Sequence, residues 1–275
     1  MITCQIMGGL GNQLFQIFAT ISHAINTKSK FIFLNSNAYG KRNSYWYTFL
    51  YGLKFSLVQQ LPNKMKWLRE KGFHYQSIPA CNTNNDYLLS GYYQSEKYFK
   101  DNYDTIYKLL KLHIFKEEIQ NKYDYNYNQL ISMHFRLGDY VKIQDCHPIM
   151  KYEYYHNCIS YLIEKLQNDA LQFLYFCEEE SNIAVGNIIY MLKQSFPNCN
   201  FIKASDEVND WEQMLMMSYC AHHIIANSSF SWWGAYFNPS KEKIVCYPEK
   251  WFGPKLSMNN TIDLCPEEWN KIICS

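Results

Sequence analysis

Arg136 closes an alternating apolar run and is followed at once by a loop, in the order His134-Phe135-Arg136-Leu137-Gly138-Asp139-Tyr140. A guanidinium is permanently charged and can hold two phosphate oxygens together, which suits a diphosphate. The plain alternative for a single arginine is a salt bridge at the rim of the fold. Asp139 can accept a proton, orient Arg136 or cap the turn that follows. His134 stands two residues before Arg136 on one face of a strand. It either shares the arginine's cleft or sits in the core with its hydrogen bonds met. A second stretch, Asn227-Ser228-Ser229-Phe230-Ser231-Trp232-Trp233-Gly234-Ala235, follows the short apolar run Ile224-Ile225-Ala226. Serines at a strand-to-helix junction offer hydroxyls and backbone N–H groups where a phosphate is readily bound. An ordinary serine cap on a core helix uses the same residues, and the tryptophan pair reads as packing behind the turn.

Two further segments bear on the same kind of ligand. Gly8-Gly9-Leu10-Gly11 follows the apolar start of the chain and precedes Asn12 and Gln13, so strand, glycine turn and helix open a βαβ unit. It is not the dinucleotide fingerprint, and a plain tight turn explains it equally. Asp206, Glu207, Asp210 and Glu212 cluster after a strand. A carboxylate there can receive the N–H groups of a guanine base, or the cluster is a solvated helix start favoured by the helix dipole. Glu178-Glu179-Glu180 invites a metal reading, but adjacent glutamates point different ways and no D-x-D accompanies them. No metal and no cofactor are expected.

These residues need elements to position them. A helix fits from about Asn12, as its cap, to Asn26, with Leu14, Phe18, Ile21 and Ile25 on one face. A strand follows at Phe31–Leu34. Residues 39–130 show basic and aromatic clusters but little period, apart from Gly91-Tyr92-Tyr93-Gln94-Ser95-Glu96-Lys97-Tyr98-Phe99. A polar-aromatic surface of that kind suits carbohydrate, and the same residues fit a strand end running into a helix capped by Ser95. From Leu130 onward strands and helices alternate strictly: strands near 130–136, 173–177, 200–203, 222–226 and 244–247, with helices near 152–167, 183–194, 210–219 and from Ser229. That alternation predicts a parallel sheet with helices on both faces and ligands beyond the carboxyl ends of its strands.

Composition narrows the class. With 275 residues, 48% hydrophobic and 19% charged, the chain is a folded protein of one large domain or two modest ones. A net charge of +1 gives no general attraction to nucleic acid or membrane, so any nucleotide must be held by local groups. The 10 cysteines are scattered without a C-x-x-C pair or zinc spacing and read as free core thiols. The start of the chain lacks the pattern of a signal peptide, and no apolar run reaches membrane-spanning length. A soluble, cytoplasmic protein is expected.

Four blocks, taken in order, resemble one family. They are Gly8 to Gln16, Gly91 to Phe99, His134 to Tyr140 and Ala226 to Ala235, and the similarity extends over nearly the whole chain. Together they resemble the α-1,2-fucosyltransferases of glycosyltransferase family 11. The resemblance implies an α/β fold of GT-B type with two facing Rossmann-like domains: an acceptor-side domain over 1–128, a donor-binding domain over 129–250 and a tail, 251–275, packing back toward the first. It implies inverting transfer of L-fucose from GDP-fucose to O2 of galactose on a glycan acceptor, without metal. It places Arg136 on the donor diphosphate, with Ser228 and Ser229 at the same donor site and the N-terminal glycine turn opposite. Expected donor-binding residues are thus Gly9, Leu10, Gly11, Asn12, Gln13, Arg136, Asp206, Asn227, Ser228, Ser229 and Phe230, and expected catalytic residues are Arg136, Asp139 and His134. Relatives carry an F-S-D-D-like segment where this chain has Phe176-Cys177-Glu178-Glu179-Glu180, which leaves those carboxylates without an assigned role. A transferase of another sugar or acceptor, including a protein acceptor, and a catalytically silent sugar-nucleotide- or carbohydrate-binding protein are the other readings.

Overall fold

The apolar start of the chain becomes a buried strand, β1 (Ile2–Cys4), and the glycine turn after it leads into helix α1 (Leu10–Asn26). The structure, a computed structural model, describes residues 1–82 and 84–274. It divides into two units, Met1–Glu117 with Asn259–Pro266, and Glu118–Met258 with the residues from Glu267 onward. The division thus comes before the expected boundary at 128, and the expected tail is shared between the units.

In the first unit the strands after β1 are β2 (Phe33–Leu34), the hairpin pair β3 (Ala38–Tyr39) and β4 (Arg42–Asn43), β5 (Leu57–Val58), β6 (Lys66–Arg69) and β7 (Tyr87–Ser90). β7 lies between β1 and β6 and is parallel to both, while β2 pairs in parallel with β5. Two helices close the unit's sequence, α2 (Tyr103–Leu109) and α3 (Leu112–Lys122), the latter running across the division. α1 differs from its sequence reading in two ways. Its cap is Gly9, with Asn12 already inside the first turn, and it is buried on nearly every side from Leu10 to Ala24, whereas Ile25 is exposed. Phe15 and Phe18 pack against Phe99, and each buried aromatic of this size contributes about 1.5–3 kcal/mol.

The second unit holds β8 (Leu130–His134), α4 (Tyr152–Leu166), β9 (Gln172–Phe176), α5 (Asn182–Ser195), β10 (Asn200–Lys203), α6 (Asp210–Met217), β11 (His222–Ile224), α7 (Ser229–Tyr236), β12 (Val245–Pro248) and β13 (Asn270–Ile272). Its six strands form one sheet in the order β10-β9-β8-β11-β12-β13, and every pairing is parallel. Strand order runs outward from β8 through β9 and β10, then restarts on the other side at β11. That reversal makes the β8–β11 gap the topological switch point, where open α/β sheets place their ligands. Both units are therefore Rossmann-like α/β folds. α4 buries Tyr154, Tyr155, Cys158, Ile159 and Leu162 against the sheet. All ten cysteines are free thiols, buried or half-buried.

A buried polar chain holds the switch point together. Ser132 in β8 bonds His223 Nδ1 in β11 at 2.7 Å, and Asn238, just past α7, donates to His223 Nε2 at 2.9 Å and to the Cys220 carbonyl at 2.8 Å. Because Asn238 donates to Nε2, the imidazole proton sits on Nδ1 and goes to Ser132. Fully satisfied networks of this kind fix neighbouring elements to one another.

Candidate active site

β8 and β11 end side by side, and α4 secures both ends with consecutive tyrosines. Tyr155 OH donates to the His134 carbonyl at 3.0 Å, and Tyr154 OH to the Ile225 carbonyl at 2.5 Å. These hydroxyls satisfy carbonyls at the strand ends. Beyond β8, Phe135 N still donates to the Phe176 carbonyl at 2.9 Å, so the ladder with β9 continues past its last paired residues, His134 and Phe176. At that register Arg136 stands beside Glu178.

The Arg136 guanidinium donates from Nη1 to Glu178 Oε1 and from Nη2 to Asp139 Oδ1. It also lies over the Tyr140 ring, 5.0 Å from the centroid, a cation–π contact. Tyr140 OH donates to the Asn227 carbonyl at 3.2 Å, so the loop after β8 is tied to the loop after β11. The Tyr140 ring stacks on His147 at 4.7 Å. Burial lowers the His147 pKa; the nearby Asp139 charge opposes this and Arg136 adds to it. His134 is more strongly affected. Burial first, and the Arg136 charge second, push it down to about 3, so it is a neutral imidazole throughout the physiological range. Its ring packs against Phe230 at 5.5 Å, and its Nδ1 is buried without a partner.

The serine turn combines capping and clamping. Ser228, extended and buried, accepts from Phe230 N at 3.3 Å and caps α7, as one of the two sequence readings has it. Asn227 is fully buried, and its amide donates to the Pro148 carbonyl at 2.9 Å and the Trp251 carbonyl at 3.1 Å. Its side chain is thus committed to holding two loops. Ser229 and Phe230 are half-buried. Trp232 and Trp233 are completely buried, and Gly234 lets α7 approach α6 so closely that a Cβ would stand 2.9 Å from Met217 Cβ. The tryptophans therefore pack behind the turn.

Asp206 is placed apart from this group, at the end of β10. Its carboxylate pairs with Lys203 and accepts from Asn182 Nδ2 at 3.0 Å, and these two bonds lower its pKa. Glu212 belongs to the capping box of α6 and pairs with Lys122 at 2.7 Å, the structural role weighed for this acidic cluster. Gly9, Leu10, Gly11, Asn12 and Gln13 lie in the other unit, at the start of α1. Gly8 has φ +77°, and a Cβ there would collide with the Asn12 side chain. Gln13 Nε2 donates to the Gly8 carbonyl at 3.1 Å and the Asn43 carbonyl at 2.8 Å, Gln16 accepts from Met7 N at 2.9 Å, and Asn12 accepts from Gln94 at 2.7 Å. Buried Leu10 and Gln13 face the fold, while a side chain at Gly9 would meet nothing within 4 Å. The chain thus gathers His134, Arg136, Asp139, Asn227, Ser228 and Phe230 around one switch point. It adds Glu178, Tyr140 and His147, which sequence reasoning did not select. The glutamate triplet was visible, but its partner depended on a strand register that local sequence does not encode.

One guanidinium, held by two carboxylates, and one helix N-terminus thus stand at a switch point, where open α/β sheets place their ligands. The sequence model for glycosyl transferase family 11 matches residues 1–272. The chain belongs to that family. It is 30% identical to the O-antigen biosynthesis glycosyltransferase WbnK of Escherichia coli, over 73% of this chain and 68% of the relative. It is 26% identical to an alpha-1,2-colitosyltransferase of Escherichia coli, over 98% of each chain. A solved structure, the Escherichia coli ADP-heptose LPS heptosyltransferase II, aligns with 14% identity and a TM-score of 0.37 over 57% of this chain and 42% of that one. The fold assignment rests on the sheets themselves: two Rossmann-like units in one glycosyltransferase chain are of the GT-B type. As a family 11 glycosyltransferase, the chain takes a sugar-nucleotide donor and a glycan acceptor, and among the described residues no helix is long and apolar enough to cross a membrane.

Proposed function

We propose that this glycosyltransferase moves L-fucose from GDP-fucose to O2 of a galactose residue, with inversion at the anomeric carbon and without a metal ion. The observation that carries the reading is the position of Arg136, at the β8 end of the switch point and tied through Tyr140 to the turn that starts α7. As the sugar–phosphate bond breaks, negative charge grows on the departing diphosphate while the sugar becomes oxocarbenium-like. Arg136 and the N-terminal end of α7 supply preorganised positive charge at that place, the work a metal performs in other enzymes. Inversion requires the acceptor hydroxyl to lose its proton as its oxygen attacks. Asp139 takes that role here, because its carboxylate is exposed beside Arg136 whereas the His134 imidazole is buried. Ser228, Ser229 and Asn227 shape the phosphate turn.

The relative named for α-1,2-colitose transfer favours a second reading, in which the same site moves a fucose analogue in the same linkage. The deciding experiment is donor turnover. GDP release from GDP-fucose in the presence of a β-galactoside is expected, unchanged by a chelator. Arg136→Ala is expected to lower kcat/KM by roughly 10²–10³-fold, the usual scale for removing a charge-stabilising donor. Full activity in that variant refutes the diphosphate role, and turnover of a UDP-sugar but not of a GDP-sugar refutes the donor.

A further inference from the structure

We propose that Glu178 is a positioning residue for Arg136, and that the donor diphosphate displaces Asp139, not Glu178, from the guanidinium. The proposal rests on the reading of Arg136 as the diphosphate ligand. Two carboxylates share this one guanidinium. The group therefore carries net negative charge, and a diphosphate is repelled until one carboxylate lets go. The geometry points to which one goes. Glu178 is delivered by the β8–β9 register directly beside Arg136, and its backbone carbonyl is fixed by Ser181 N at 2.9 Å. Its Oε2 is buried without a hydrogen-bond partner. The Gly138 turn lies on this carboxylate so closely that a Cβ at Gly138 would overlap Oε2 and come within 2.8 Å of Cδ. Glu178 is thus wedged between the guanidinium and a glycine that has to be a glycine. Asp139 grips the other Nη from the more open side, its side chain 46% exposed against 37% for Glu178, whose Oε2 is the buried atom.

Exchange at Nη2 couples donor binding to catalysis. A donor phosphate oxygen replaces Asp139 there, while Glu178 keeps Nη1 and with it the direction of the guanidinium. The released carboxylate takes the proton of the acceptor hydroxyl, whose oxygen pair forms the new glycosidic bond. The electron pair of the broken anomeric C–O bond leaves with GDP.

GDP binding by calorimetry on the full chain, with kcat and KM for the donor, tests this. Glu178→Gln keeps the shape but loses the charge, and is expected to weaken GDP roughly tenfold, as for one charge-assisted hydrogen bond, with a rise in donor KM. Asp139→Asn removes the competitor, so GDP should bind about as tightly or a few-fold more tightly while kcat collapses. Tighter GDP binding by Glu178→Gln would show that Glu178 is the group displaced and overturn the proposal. A lower melting temperature with unchanged GDP affinity would make Glu178 merely structural and overturn it as well. Should Glu178→Gln fail to fold, Asp139→Asn alone decides: GDP binding weakened tenfold there means Asp139 helps hold the donor, against the exchange. If Arg136→Ala binds GDP like the wild type, the diphosphate reading itself fails, an outcome separate from these.

Discussion

Replacing Asn227 separates hydrogen bonding from packing at the hinge of the proposed site. The residue is completely buried, and its amide is the shared partner of the Pro148 and Trp251 carbonyls at 2.9 and 3.1 Å. Asn227→Ala leaves both carbonyls without that donor. Each unmet buried group costs about 1–3 kcal/mol, and a water entering the vacated space returns part of it. A net loss of about 2–4 kcal/mol is expected, from a total that is commonly about 5–15 kcal/mol. At about 2–4 °C per kcal/mol for a domain of this size, the melting temperature falls by roughly 5–15 °C. Asn227→Asp sharpens the test, since it preserves volume but turns an acceptor-only carboxylate toward two carbonyl oxygens. It should be worse than alanine at neutral pH and recover toward it as acid protonates the carboxyl. Differential scanning calorimetry on both variants reads this directly. If Asp proves milder than Ala at neutral pH, space filling and not the two hydrogen bonds holds these loops, and the reasoning is wrong.

Three further expectations concern the same unit. His134 binds its proton far less readily folded, at about 3, than unfolded, near 6.5, so between those values the unfolded chain holds the extra proton. Stability therefore rises with pH across that window and is lost as pH falls through it. His134→Asn should flatten this acid limb in urea titrations from pH 4 to 7, and an unchanged limb would contradict the buried, neutral imidazole. Ser228→Ala removes the cap of α7 and should cost about 1 kcal/mol in chemical denaturation; no cost would mean that the bond to Phe230 N contributes nothing. Gly234→Ala pushes a methyl into Met217 across the α6–α7 contact and should cost about 1–3 kcal/mol, whereas a stabilised variant would mean that α7 shifts freely.

Much of the second unit was legible because its signals are local. Apolar runs bounded by polar turns located every strand from β8 to β12 within a residue or two, and α7 starts at the serine expected to open it. The first unit was harder to read for equally physical reasons. β6, Lys66-Trp67-Leu68-Arg69, is a mostly exposed strand without apolar alternation. The stripe of Leu14, Phe18 and Ile21 located α1 but not its burial on nearly every side, and Asn12 looked like a cap while serving as an acceptor for Gln94. β13 joins the second sheet from beyond a segment that belongs to the first unit, a pairing no local pattern announces.

By itself the sequence determined the alternation of strands and helices, the arginine and serine segments at strand ends and the family they spell. Each depends on residues close together in the chain, whose periodicity and turn chemistry act locally. Only the tertiary structure decided that β8 and β11 are neighbours, that Arg136 meets Glu178 as well as Asp139, that Asn227 clamps loops, and that His134 is neutral. Those outcomes follow from strand order, register and burial, which are set by packing between segments far apart in sequence. Glu178, the first of three glutamates that in sequence did not make a metal site, becomes through one parallel register the partner of the arginine at the proposed donor site.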